Sequence, residues 1–171
     1  DIKKELYLGL VFDRSSESIM VVASTEGGMS VEEISQEKPE TIIRSKIEAA
    51  VGMQEFQARE IAFGLGIDSK LISRAAEAIR GCYKAFSELD ATMVEVNPLV
   101  ISEQEQVLAL DCKMSFDNNA LFRRNQVSEL RDKTQENPSE VYASDRGLNY
   151  VSLDGNIGNI INGAGLAMAS M

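Results

Sequence analysis

The most constraining feature of the sequence is a pair of neighbouring strand patterns that end in polar side chains. In Thr92–Asn97 apolar and polar residues alternate, so Glu95 and Asn97 lie on one face of a strand and the valines on the other. A second run, Val107–Asp111, is apolar until its last residue. If the two runs pair as a hairpin, Asp111 comes opposite the face that carries the first two polar side chains. The sequence therefore predicts three oxygen-bearing side chains at neighbouring strand ends.

These side chains have the chemistry of a site for a hard cation. Magnesium prefers one or two carboxylates with carbonyl oxygens, while substrate phosphates and waters complete its octahedron. Asn97 and Asp111 therefore suit Mg²⁺ that is held jointly with a nucleotide. The alternative is purely structural, because Asn before Pro98 is a common turn former and a terminal Asp often caps a turn. Spacing alone leaves both interpretations open.

Composition and charge exclude several classes of protein. The 171 residues suffice for one domain, or for one domain and part of another. With 44% hydrophobic and 26% charged residues and no apolar run of membrane-spanning length, we expect a soluble globular chain with no membrane partner. The net charge of -10 argues against a nucleic-acid partner, since a phosphate backbone requires a basic face.

Cysteine and histidine usage narrows the possible chemistry. Cys82 and Cys112 lack CxxC spacing, so we expect buried free thiols and no disulfide. The chain contains no histidine, so any histidine chemistry must come from a partner. It starts at Asp1 rather than Met and stops within a helical pattern at Met171, so we expect an excerpt of a longer polypeptide.

Further strand and helix patterns precede the central pair. Runs of strand formers at 5–12 and 19–24 flank a polar turn and predict a hairpin, and residues 41–47 predict a third strand. Between 54 and 89 apolar residues recur with the helical period, which predicts helices that face a core.

A short helix and a glycine pair separate the predicted hairpin from the third strand. Ser30 and Glu33 have the spacing of a capping box, which predicts a helix beginning there. Gly27 and Gly28 indicate either a plain turn, which we favour slightly, or a close approach of the backbone to a ligand.

The segment after the central pair also offers two interpretations. Asn118–Arg124 is typical of a short helix with a capped start. Arg123 and Arg124 either bind a phosphate or carboxylate there or make ordinary surface salt bridges.

The last third of the chain contains a linker and a glycine-rich turn. Thr134–Pro138 has the composition of a linker, and a helix is predicted to follow it and to end at Gly147. Asp154–Asn156 predicts a tight hairpin between two strands. Asn162–Gly165 then leads into a helix whose first N–H groups are exposed and can bind an anion. This pattern is common, so by itself it is weak evidence for an anion site.

Several segments, in this order, resemble the β subunit of succinyl-CoA synthetase from one end of the chain to the other. The segments are Lys4–Tyr7, Ala23–Gly28, Glu95–Val100, Leu110–Lys113, Asn119–Arg123, Leu153–Gly158 and Asn162–Met168.

The resemblance implies an α+β fold. Residues 1–136 would form the C-terminal, larger lobe of an ATP-grasp fold, with an antiparallel sheet and packed helices. Residues 137–171 would begin a flavodoxin-like CoA-ligase domain. Because that second domain is truncated, we expect residues 138–171 to be poorly ordered or to pack against a neighbouring chain.

The resemblance also implies an activity. The family forms succinyl-CoA reversibly from succinate, CoA and ATP in the tricarboxylic acid cycle, with Mg²⁺ as cofactor. The reaction passes through succinyl-phosphate and a phosphohistidine on the α subunit, which would be the partner of this chain. A bacterial form would be cytoplasmic and a eukaryotic form would lie in the mitochondrial matrix.

Five residues match functional positions of the family. Asn97 and Asp111 fall on magnesium ligands, and Glu5 falls on an acidic residue that contacts the nucleotide. Glu95 matches the acid that meets the α-subunit histidine loop, a catalytic role. Asn162 falls on a position that binds substrate.

Other functions remain as alternatives. One is a related acyl-CoA ligase, such as malate–CoA ligase, or a form that uses GTP. Another is a non-catalytic module that keeps the fold for subunit assembly. As part of a ligase subunit, the excerpt alone is expected to be inactive.

Overall fold

The computed structural model describes residues 1–153 and 155–170. It divides the chain into two compact units, Asp1–Glu129 and Leu130–Met171. The predicted boundary between functional domains, after residue 136, remains a prediction.

The first unit contains six strands and four helices. The strands are β1 (Ile2–Asp13), β2 (Ser18–Ser24), β3 (Ile42–Ile47), β4 (Ala91–Ser102), β5 (Val107–Ala109) and β6 (Cys112–Phe116). The helices are α1 (Val31–Glu37), α2 (Glu55–Gly64), α3 (Ile72–Glu88) and α4 (Asn125–Glu129). The second unit contains α5 (Pro138–Ser144) and α6 (Ala164–Ser170).

The six strands form one antiparallel sheet. Its order is β3-β2-β1-β4-β5, and β6 also pairs with β4 beside β5. The two central strands, β1 and β4, have 12 residues each. An α+β fold with an antiparallel sheet and packed helices is therefore confirmed.

The main core lies between one face of the sheet and the helices α2 and α3. Leu6, Leu8 and Leu10 alternate along β1 and are fully buried on this face. They belong to one cluster with Ile61 of α2 and Ile79 of α3. The helical period predicted between 54 and 89 is confirmed.

Helix α1 lies over the opposite face of the sheet. Ser30 accepts a hydrogen bond from the Glu33 N–H and the Glu33 side chain accepts one from the Ser30 N–H, so the predicted capping box is present. Ile34 of this helix is fully buried. On β1, Tyr7 and Gly9 lie on this second face and are also buried.

The central strand pair differs from its predicted form. The first run does not stop at Pro98 but continues through a cis Asn97–Pro98 peptide to the end of β4. Pro98 fits inside the strand because it supplies only its carbonyl, which accepts from the Leu110 N–H at 3.2 Å. The second run ends as a strand at Ala109, and β6, which follows it, was not predicted.

Two other local predictions are wrong. Residues 118–124 contain only a 3₁₀ turn, Leu121–Arg123, and no side chain caps it. The predicted hairpin in the second unit is absent, because the described residues from 148 to 163 contain no strand. Asp154, in its proposed turn, lies outside the described residues.

Two predictions about the whole chain can also be compared with the structure. Both cysteines are free, as predicted, but Cys112 is exposed rather than buried, since it lies at the start of β6. Within residues 1–153 and 155–170, no helix has the length and apolarity that a membrane crossing requires.

Candidate functional site

Asn97 holds the loop between β2 and α1 with both ends of its amide. Its Oδ1 accepts a hydrogen bond from the Gly28 N–H at 2.7 Å. Its Nδ2 donates to the Met29 carbonyl at 2.8 Å. The side chain leaves the solvent-side face of β4, because its neighbour Val96 points into the core. Asn97 therefore ties the glycine loop to the middle of the sheet.

Asp111 lies directly opposite Asn97, in the break between β5 and β6. The Asn97 N–H donates to the Asp111 carbonyl at 3.3 Å, which places the two backbones side by side. One carboxylate oxygen of Asp111 accepts from the Cys112 N–H at 2.8 Å, and the residue is exposed. The structure thus brings the two residues of the predicted metal site to adjoining positions of the sheet.

The chemistry of these two side chains fits a magnesium ion. An amide oxygen has two lone pairs and Asn97 uses one of them for Gly28, while Asp111 has a second carboxylate oxygen. In the parts of the chain that the structure describes, no three His, Cys, Asp or Glu side chains are grouped to hold a metal. A cation here would therefore take its other ligands from phosphate oxygens and water, as Mg²⁺ commonly does.

Glu5 lies beside the same glycine loop. An ideal Cβ on Gly27 would be 2.5 Å from the Glu5 carbonyl carbon and from the Leu6 nitrogen, so the loop rests on the backbone of β1. Gly28 has a φ of +80°, which favours glycine, and its ideal Cβ would be 3.3 Å from a Glu5 carboxylate oxygen. The glycine pair thus does more than form a plain turn, because it lets the loop backbone approach another backbone closely. Its close approach is to a strand of the same chain.

Glu95 lies in the centre of the same face of the sheet. It is half-buried on β4, and its strand neighbours are Gly9 of β1 and Lys113 of β6. The valines on either side of Glu95 point into the core, as the alternation in the sequence predicted.

A shallow cavity extends this face toward the sheet edge. The register continues from Gly9 to Val22 and from Val22 to Arg44, so these residues share a row with Glu95. A cavity of about 380 Å³ lies between this row and α1, with Val22, Arg44 and Glu32 in its lining. The cavity is therefore lined by one carboxylate, from α1, and one guanidinium group, from the edge of the row.

Sequence reasoning missed Tyr7, which is next to Glu95. Tyr7 is only 5% exposed, and its hydroxyl lies over Gly9, the strand partner of Glu95. Burial is the main cause that raises the pKa of Tyr7 well above its usual range, and the Glu95 and Glu32 carboxylates raise it further. The available signal was its position two residues before Gly9, on the same face of β1.

Arg123 and Arg124 serve an ordinary structural role. Each donates to Asp90 at 2.7 Å, and the two guanidinium groups lower the pKa of that carboxyl. The salt-bridge interpretation is therefore confirmed. Both guanidinium groups bind the carboxylate of Asp90 rather than a phosphate or carboxylate of a ligand.

Asn162 belongs to the second unit, whereas the other predicted site residues belong to the first. It is exposed and precedes Gly163, whose φ is +107°, at the start of α6. Its predicted contact with substrate remains a prediction.

A central antiparallel sheet with oxygen-bearing side chains at adjoining positions, one of them bonded to a glycine loop, agrees with the family comparison. The ATP-grasp domain family matches residues 1–101, and the chain belongs to this family. ATP with a divalent cation is the cofactor pair of the family.

The similar proteins are acid–CoA ligase subunits. Over all 171 residues the chain is 60% identical to a protein of Mesorhizobium japonicum described as a probable malate–CoA ligase subunit beta, and covers 43% of it. It is 50% identical over the same length to the succinate–CoA ligase [ADP-forming] subunit beta of Bacillus subtilis, and covers 44% of it. The chain spans less than half the length of these relatives. The resemblance derived from the sequence is confirmed.

Solved structures support the fold alone. The ATP citrate lyase of Methanothrix soehngenii, in complex with citrate and coenzyme A, matches with a TM-score of 0.51. The match covers 85% of this chain and 33% of that one, at 15% identity.

Proposed function

We propose that this chain is the nucleotide-binding part of the β subunit of an ADP-forming acid–CoA ligase. The observation that carries the proposal is the placement of Asn97 and Asp111 at adjoining sheet positions, where Asn97 also holds the loop that rests on β1 at Glu5. Such a site can hold a cation together with the phosphates of a nucleotide. The names of the similar proteins supply the acid–CoA ligase chemistry.

In this proposal each site residue has a separate task. Asn97 and Asp111 hold Mg²⁺, which would neutralise charge on the terminal phosphates of ATP. Glu5, whose carboxylate lies next to Gly28, would contact the nucleotide. Glu95 faces the open side of the sheet, where it would orient an incoming imidazole and stabilise its cationic form.

The imidazole would come from a second subunit. This chain contains no histidine, so a phosphohistidine route requires an α subunit. We propose that the α subunit also brings the CoA site, and that Asn162 of this chain contributes to binding the acid. In bacteria the complex would be cytoplasmic.

The acid is a dicarboxylate in both groups of relatives, and two candidates remain. Succinate is the substrate that the residue matches imply. The identity of 60% with the probable malate–CoA ligase subunit, against 50% with the Bacillus subtilis protein, favours malate as the second candidate. Steady-state kinetics of the full-length complex with both acids, and with ATP and GTP, separate these forms.

The metal role is tested on the full-length β subunit by titrating a fluorescent nucleotide at a series of Mg²⁺ concentrations. Loss of a partner outside the ligand shell costs about 10–100-fold in metal affinity, so Asp111→Ala should raise the Mg²⁺ requirement at least about tenfold. Asn97→Ala should do the same. Glu77→Ala is the matched control, because Glu77 is an exposed carboxylate on α3, which packs against the other face of the sheet.

An unchanged Mg²⁺ requirement in Asp111→Ala would reject the metal site. A complex that assembles with the α subunit but transfers no phosphoryl group to histidine would instead favour the assembly-module alternative. Residues 1–171 alone are expected to show no ligase activity.

A further inference from the structure

Tyr7 lies folded over Gly9 on the face of β1 that carries the candidate site. The two residues are two positions apart and therefore share a face of the strand. An ideal Cβ on Gly9 would lie 2.7 Å from the Tyr7 hydroxyl oxygen and 3.1 and 3.2 Å from its Cε1 and Cζ. Any side chain at position 9 would thus displace the phenol, so the ring occupies space that only glycine leaves open.

The register of the sheet places the Tyr7 hydroxyl beside Glu95. Gly9 and Glu95 are direct partners between β1 and β4. A hydroxyl lying above Gly9 is therefore one strand spacing from the Glu95 side chain, within reach of its carboxylate. Because Tyr7 is almost fully buried, its ring is held by the packing around it.

We propose that Tyr7 is a positioning residue for Glu95, holding its carboxylate toward the open face of the sheet for the phosphoryl transfer proposed above. A glutamate side chain has three rotatable bonds and is otherwise free to turn. A buried phenol that donates to one carboxylate oxygen fixes the orientation and leaves the second oxygen for the incoming imidazole. Gly9 completes the arrangement by leaving room for the ring.

The surrounding charges keep Tyr7 a donor. Burial raises the pKa of Tyr7 above its usual range, and the carboxylates of Glu95 on β4 and Glu32 on α1 raise it further. Lys113 on β6 is the next partner of Glu95 in the sheet and Arg44 lies at the far end of the same row. Tyr7 therefore keeps its proton at working pH, and its role is to orient rather than to exchange a proton.

The inference rests on the proposed function, and the test separates the two. It uses the full-length β subunit assembled with its α subunit, and four single variants: Tyr7→Phe, Gly9→Ala, Glu95→Gln and the control Tyr83→Phe. Tyr83 is partly buried and its hydroxyl lies near Gly52, away from the site. The first measurement is the single-turnover rate of histidine phosphorylation by ATP, with the KM for ATP.

Tyr7→Phe should slow phosphorylation about 10–100-fold with little change in KM, because misplacement of a reacting group by 1 Å has that effect. Gly9→Ala should act in the same direction while retaining every polar group. The Tyr7→Phe and Glu95→Gln double variant should be no slower than Glu95→Gln alone, since Tyr7 acts through Glu95. Tyr83→Phe should phosphorylate at the wild-type rate.

A second measurement does not depend on activity. In protein labelled with ¹³C at the tyrosine Cζ, the signal that Tyr7→Phe removes belongs to Tyr7. This signal should shift in Glu95→Gln and in Gly9→Ala and should stay in place in Tyr83→Phe, since Cζ senses the hydrogen bond of the phenol.

The outcomes distinguish the two ideas. A wild-type rate in Glu95→Gln would reject the role of Glu95 in the proposed function. A slow Glu95→Gln with wild-type rates in Tyr7→Phe and Gly9→Ala would overturn the inference alone. Additive losses in the double variant, or a Tyr7 signal unmoved by Glu95→Gln, would overturn it as well, even if the Tyr7 variant is less stable.

Discussion

Replacing Gly27 with alanine tests how the glycine loop is held against the sheet. An ideal Cβ on Gly27 lies 2.5 Å from the Glu5 carbonyl carbon and from the Leu6 nitrogen, whereas non-bonded heavy atoms prefer about 3.5–4.0 Å. Both atoms belong to the backbone of β1 where it pairs with β4, so they cannot yield without breaking the sheet. We therefore expect the loop to move outward by about 1 Å.

The cost of that movement can be estimated from the bonds the loop makes. The Gly28 N–H and the Met29 carbonyl are bound to Asn97 at 2.7 and 2.8 Å, and a shift of about 1 Å takes both beyond hydrogen-bonding range. Overpacking costs about 1–3 kcal/mol and each lost hydrogen bond about 0.5–1.5 kcal/mol. Gly27→Ala should therefore lower the free energy of unfolding by about 2–6 kcal/mol.

The assay is urea denaturation of the full-length polypeptide, followed by titration with a nucleotide and Mg²⁺. Gly81→Ala is the control, because Gly81 is exposed in α3 and its ideal Cβ meets nothing within 4 Å. That change should raise the free energy of unfolding by about 0.5–1 kcal/mol. If Gly27→Ala unfolds at the wild-type urea concentration and binds the nucleotide normally, the loop does not rest on β1 as described.

Two further predictions concern stability. Ile79→Ala should lower the free energy of unfolding by about 2–5 kcal/mol in urea denaturation, because Ile79 is fully buried between α3 and the sheet; a loss below 1 kcal/mol would contradict this packing. Asp90→Asn should reduce thermal stability at neutral pH, because Arg123 and Arg124 lower the pKa of the Asp90 carboxyl in the folded state. This stabilisation is complete above the ordinary carboxyl pKa of about 4 and is lost as pH falls through the lowered value, so the melting curves of variant and wild type should converge in acid. A difference that does not change with pH would show that the ion pairs do not contribute.

Much of the fold could be predicted from local periodicity. Alternation placed Glu95 and Asn97 on the open face of β4 and the intervening valines in the core, because strand geometry allows no other arrangement once one face is buried. The capping box at Ser30 was equally reliable, since all its hydrogen bonds lie within four residues. Features set by neighbours in sequence were therefore predicted well.

The missed strand β6 shows where a usable signal was overlooked. Met114 and Phe116 alternate with Lys113 and Ser115, and both apolar side chains pack against the core. The preceding polar residue, Asp111, suggested the end of the strand pair, although the sheet only changes partner there. Pro98 misled in the same way, because a proline in a strand normally marks its end.

The predicted hairpin in the second unit failed for a different reason. Its apolar residues, such as Val151, Leu153 and Ile157, are exposed, and an isolated pair of strands has little stability in water. Alternation and a tight-turn sequence therefore do not form a hairpin unless another layer covers one face. The sequence pattern contains no information about whether that layer is present in this chain.

The pairing of Tyr7 with Glu95 could not be predicted by any local rule. In the sequence Tyr7 belongs to an apolar strand pattern, and only the register between β1 and β4 places its hydroxyl over Gly9 and against a carboxylate. The same holds for Asn97, whose amide bridges to Gly28 and Met29. The Tyr7 and Asn97 side chains are thus oriented by residues far away in sequence. The chemistry of a side chain can be read locally, but its direction depends on the partner strand or loop.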